Sequence, residues 1–209
     1  MKQLLLIGYE FVTVMVPAAA ITLLFYFRRK RLRAPISRRY IVYLMIFFFY
    51  LFGVFYYTGA GTLFDARRYG LDFKTRRLNL IPFSDPDIDY IAYGLNIILF
   101  MPFGFLLPMI WSRFERYRNV WVAGASFSAL IELSQLLNNR ATDIDDLILN
   151  TIGAVLGAML FKLFSRFGKW KPLINDGANF EAFVCIMVSF LCRFFFFDEL
   201  GMAKIIFGF

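Results

Sequence analysis

The chain has 209 residues, 60% hydrophobic and 18% charged, with a formal net charge of +8 and a mean hydropathy of +0.62. That balance leaves too little polar surface to cover a soluble domain of this size and points to lipid as the solvent. There is no histidine, and the two cysteines, Cys185 and Cys192, lie too far apart along one helix for a disulfide, which argues against zinc, haem and cross-linked frameworks.

A membrane-spanning helix needs about 20 predominantly apolar residues. Six stretches meet or approach that length: Leu4–Phe27, Tyr40–Thr58, Ile91–Trp111, Val120–Leu137, Leu147–Phe164 and Phe180–Phe197. The expected fold is an all-α polytopic bundle of about six transmembrane helices. It divides into 1–90 (two helices and a long connection), 91–164 (a three-helix core) and 165–209 (a last helix and tail). The first stretch superficially resembles a signal peptide, but most of its positive charge follows the apolar run, in Arg28-Arg29-Lys30-Arg31-Leu32-Arg33. An uncleaved first helix fits better.

Basic residues concentrate in alternate connections. Segment 28–39, then Arg113, Arg116 and Arg118, then Arg166, Lys169 and Lys171 share one side, while most acidic residues fall on the other. The positive-inside bias makes the first side cytoplasmic and both termini extracytoplasmic. The net positive charge is thus a topology and headgroup signal, and no nucleic-acid partner is expected.

The second connection, about 59–90, contains Gly59-Ala60-Gly61 and Asn79-Leu80-Ile81-Pro82-Phe83-Ser84-Asp85-Pro86 and reads as irregular, resting on the membrane interface. The third span brings Asn96 in from the extracytoplasmic side, and Pro102 is expected to kink it next to Gly104. In the fourth, Ser128, Glu132, Gln135 and Asn139 form one helical stripe, and Arg140 follows. The fifth starts at Thr142-Asp143-Ile144-Asp145, a possible capping box, and carries Asp146 and Asn150 above a Gly153/Gly157 packing pair. Glu10, in the outer half of the first span, is expected either to snorkel to the interface or to pair with Arg193 of the sixth.

Much of this has a structural explanation: Asn96 and Gln135 as interhelical hydrogen-bonders, Asp143 and Asp145 as helix-start charges, Arg140 as an interfacial anchor, and the glycines as packing residues. Glu132 resists that reading, because an intramembrane carboxylate carries a functional presumption. The expected binding pocket comprises Asn96, Glu132, Gln135, Arg140, Asp143, Asp146 and Asn150.

The run Asn96-Ile97-Ile98-Leu99-Phe100-Met101-Pro102-Phe103-Gly104-Phe105-Leu106-Leu107-Pro108, then Ile131-Glu132-Leu133-Ser134-Gln135, Arg140, and Asp143-Ile144-Asp145-Asp146 through Gly157 resembles the VanZ-like family of bacterial membrane proteins, with Asn79-Leu80-Ile81-Pro82-Phe83 fitting upstream. The resemblance covers about residues 79–161 and implies a bacterial cell membrane and low-level resistance to teicoplanin-type glycopeptides, but no known reaction.

Three function classes follow. The first is a non-enzymatic envelope factor that binds membrane lipid, a lipid-linked wall precursor or a lipid-tailed glycopeptide. The second is an intramembrane enzyme with Glu132 and Asp146 catalytic and Asp143, Asp145 or Asp146 placing Mg²⁺ or Mn²⁺. The third is a transporter, disfavoured by the apolar cytoplasmic halves of the spans. The absence of a nucleophile constellation favours the first, for which no cofactor is expected.

Overall fold

The computed structural model describes residues 2–33, 37–69, 78–84, 89–138, 142–168, 170–174, 179–198, 201 and 205. Among these residues are six long helices: α1 (Lys2–Arg31), α2 (Arg38–Thr58), α4 (Tyr90–Ile110), α5 (Tyr117–Gln135), α6 (Ile144–Gly168) and α7 (Asn179–Phe196). Four of them, α1, α2, α4 and α6, are long and apolar enough to cross a membrane. The chain is a helical membrane protein.

The connection expected to be irregular contains a short helix, α3 (Leu63–Tyr69), and a two-residue strand, β1 (Leu78–Asn79). The helix forms because Thr62 and Asp65 cap each other: the Thr62 amide donates to Asp65 Oδ2 at 2.7 Å and the Asp65 amide to Thr62 Oγ1 at 3.2 Å. β1 pairs in parallel with β2 (Thr142–Asp143), Leu78 opposite Thr142 and Asn79 opposite Asp143.

The core is aromatic. Leu44, Phe47, Phe48, Leu51, Val54 and Phe55 recur at helical spacing on α2 and are fully buried. They meet Phe100 and Phe103 of α4 and Phe127 of α5, with the rings of Phe103 and Phe127 stacked 5.1 Å apart and Phe55 edge-on to Phe127 at 5.8 Å. α4 and α6 approach most closely. A Cβ built on Gly104 would lie 1.6 Å from the Ala154 carbonyl oxygen, on Gly153 2.2 Å from that of Ile97, and on Gly157 1.9 Å from that of Met101. The small-residue face of α6 is therefore occupied within the chain, by α4. α4 continues without a break through Pro102. Proline removes the amide that would bond the Ile98 carbonyl, and in the same turn the Tyr50 hydroxyl donates to the Leu99 carbonyl at 2.8 Å.

Two buried ion pairs strap α1 to α7, one toward each end. Arg193 Nε donates to Glu10 Oε1 at 2.7 Å, and its Nη1 to the Ala60 carbonyl at 2.5 Å. At the basic end Glu181, with no exposed surface, accepts from Arg29 at 2.9 Å, the Tyr40 hydroxyl at 2.9 Å and the Trp111 indole N–H at 3.1 Å. Saturating both carboxylate oxygens with donors offsets the cost of burying the charge.

Candidate functional site

Where α2 and α5 end and α4 and α6 begin, polar side chains from four helices meet. Gly59, in the left-handed conformation at φ 59°, ends α2, and α5 is fastened across it. Gln135 Nε2 donates to the Thr58 carbonyl at 2.8 Å, Asn138 Nδ2 to the Gly59 carbonyl at 2.9 Å, and the Gly61 amide to Ser134 Oγ at 2.9 Å. A carbonyl can only accept, so the first of these bonds fixes the Gln135 amide. Its Oε1 is left buried without a hydrogen-bond partner among the described residues.

One turn earlier on α5, Glu132 is 5% exposed. Its Oε2 accepts the Asp143 amide at 3.2 Å, and its backbone carbonyl accepts the Thr142 hydroxyl at 3.3 Å. That second bond corrects the capping-box expectation. Thr142 turns to α5 instead of capping α6, and Asp143 does the capping through Oδ1, which accepts the Asp145 amide at 3.0 Å. On α6, Asp146 accepts from Asn96 Nδ2. Asn150 Nδ2 donates to Ser128 Oγ at 2.9 Å, while Asn150 Oδ1 is buried and unpartnered among the described residues.

Asn96, Glu132, Gln135, Asp146 and Asn150 line a single cavity of about 550 Å³. Its other wall is apolar: Ala92, Leu95, Ile98 and Leu99 of α4 with Tyr57 of α2. Asp143 stands behind Glu132, outside the lining, and Arg140 lies outside the described residues.

Asp145 has a different place. It is wholly buried, accepting the Phe83 amide at 2.8 Å and the Tyr93 hydroxyl. The turn from Asn79 to Ser84 is knotted by Asn79, whose Oδ1 accepts from Ile81 and Ser84 at 3.3 and 3.0 Å and whose Nδ2 reaches Asp143 at 3.4 Å. The Asn79-Leu80-Ile81-Pro82-Phe83 and Asp143-Ile144-Asp145 segments are thus one contact in space. Asp143, Asp145 and Asp146 turn to different partners, and among the described residues no three His, Cys, Asp or Glu side chains form a group able to hold a metal ion. The suggested divalent cation therefore has no converged ligand set there.

Residues 40–165 match the VanZ/LLP1 family, more than half of the chain. The chain belongs to that family. It is 30% identical over 105 residues to Protein VanZ of Enterococcus faecium, an alignment covering 49% of this chain and 63% of that relative, less than two thirds of its length. No solved structure matches. The VanZ/LLP1 match begins at α2, upstream of the 79–161 region legible as motif, and contains every cavity-lining residue. Sequence reasoning missed Tyr57, Leu95, Ile98 and Leu99, since nothing distinguishes a cavity-facing apolar residue from a lipid-facing one. Asp145 is recoverable in principle from the pairing of the two polar segments. α1 and α7, with their ion pairs, lie outside the VanZ/LLP1 match.

Proposed function

We propose that the chain is a multi-pass protein of the bacterial cell membrane, crossing it six times with both termini extracytoplasmic. Its polar cavity takes the head of a lipid-linked wall component or a lipid-tailed glycopeptide. Occupancy changes the antibiotic's access to its target and lowers susceptibility to teicoplanin-type compounds.

One observation carries this reading: the cavity adjoins an apolar groove. Tyr57, Ile98 and Leu99 line both the polar cavity and a groove of about 790 Å³ between α2 and α4, whose walls include Phe49, Met101 and Phe105. The polar wall suits a hydrogen-bonding head group, the groove suits a hydrocarbon tail, and their junction suits a molecule having both. Concentrating polar side chains within a membrane-embedded bundle is costly unless a ligand or water uses them. The alternation of basic connections supports the six-span topology.

A second reading, an intramembrane enzyme acting on an isoprenoid- or phospholipid-linked substrate, is favoured by the presence of Glu132 and Asp146 in one cavity. There Glu132, oriented by the Asp143 amide, would serve as acid or base.

The test is expression in a susceptible bacterium. The inhibitory concentration of a lipid-tailed glycopeptide is expected to rise, with little change for a vancomycin-type compound lacking the tail. Equal shifts for both, or none for either, would contradict the proposal.

A further inference from the structure

At the basic end of the bundle, away from the polar cavity, α5 and α7 separate and leave a second groove of about 660 Å³. Its floor is apolar and buried, made by Phe114, Phe127 and Ala182, which are 8%, 2% and 1% exposed. Its flanks, Val122 and Phe183, are 50% and 64% exposed, so the trough opens sideways toward the surroundings of the helices. At its mouth stand the exposed side chains of Arg113 and Arg118.

Among the described residues neither arginine has a carboxylate within ion-pair distance. Glu181, the acid at the start of α7, is fully enclosed by Arg29, Tyr40 and Trp111 and offers nothing to the groove. Glu115, exposed on the short 3-10 helix Ser112–Glu115, does not line it. Asn119, which does, is tied through Nδ2 to the Arg113 carbonyl at 2.6 Å, joining the start of α5 to the turn that carries Arg113.

We infer that this groove is a binding site for an anionic phospholipid, its phosphate between Arg113 and Arg118 and an acyl chain along the trough between α5 and α7. Two exposed guanidiniums above an apolar channel match the two halves of such a lipid, and guanidinium groups recognise phosphate by paired hydrogen bonds. A zwitterionic lipid offers the same tail but brings its own cation to the arginines. The site includes α7, outside the family match, and does not depend on the function proposed for the cavity.

The test is native mass spectrometry of the purified full chain, released from detergent after equilibration with equimolar phosphatidylglycerol and phosphatidylcholine of matched acyl chains. Phosphatidylglycerol is expected to be retained about thirtyfold better, the factor that about 1 kcal/mol from each of two interfacial arginines supplies. Arg113→Gln with Arg118→Gln, both exposed and so tolerated by the fold, is expected to bring the two lipids close to parity. Ala123→Trp, which fills the trough, is expected to reduce retention of both lipids. Equal retention of the two lipids by the parent chain would overturn the site without recourse to any variant. So would an unchanged preference in the double variant, or displacement of the lipid by tail-less glycerol phosphate at equal concentration.

Discussion

Asp145 and Asp146 are neighbours with opposite duties. Asp146 faces the cavity with Asn96, while Asp145 is buried beneath the Asn79–Ser84 turn and holds the Phe83 amide. Helical spacing indicates that they diverge, but the sequence alone makes Asp145 the less important of the two. Its burial indicates otherwise for stability. Asp145→Ala leaves the Phe83 amide and the Tyr93 hydroxyl without that acceptor, and a lost buried acceptor costs about 1–3 kcal/mol. A lower melting midpoint in detergent and faster proteolytic cleavage near residues 80–84 are expected, with Asp145→Asn nearer the parent. An unchanged midpoint in Asp145→Ala would show that the turn does not depend on this carboxylate.

At the scale of elements, the α4–α6 contact organises the site, because it sets Asn96 against Asp146. Gly153 and Gly157 were legible as a packing pair, but their partner was not: spacing alone leaves open whether such a face is used within a chain or between chains. The helix α3 and the β1–β2 pairing were also missed. Two-residue strands have no periodicity to detect, and the Thr62/Asp65 cap sits in a segment dominated by turn formers. Gly157→Ala places a methyl against the Met101 carbonyl and forces the helices apart, at a cost of at least the roughly 1–3 kcal/mol typical of overpacking. Less monodisperse protein and a lower midpoint are expected. Gly94→Ala, also helical but with nothing within 4 Å of the added carbon, is expected to be neutral or stabilising by up to about 1 kcal/mol. Equal behaviour of the two would remove close helix approach as the reason for glycine at 157.

For the whole molecule, composition pointed to lipid as the solvent and the length of the apolar stretches to spanning helices, since the apolar fraction admits few other solvents. The polar residues of α4, α5 and α6 could be read as a group because charged and amide side chains stand out against an apolar background. The apolar wall could not, and neither could Glu181, whose burial depends on Arg29, Tyr40 and Trp111 arriving from distant parts of the chain. The molecule thus joins a cavity-bearing core within the family match to an α1–α7 pair held by ion pairs outside it. Glu132 is where these scales meet, as a buried carboxylate on the C-terminal part of α5, oriented by the Asp143 amide and open to the cavity. The most direct test compares inhibitory concentrations of a lipid-tailed and a tail-less glycopeptide in cells making the parent chain or Glu132→Gln in equal amounts. Glutamine keeps the side-chain length and an acceptor for the Asp143 amide but removes the carboxylate. Loss of the tailed compound's protection in Glu132→Gln, with folded protein unchanged, is the expected result, and full protection by Glu132→Gln would contradict a functional role for the cavity's carboxylate.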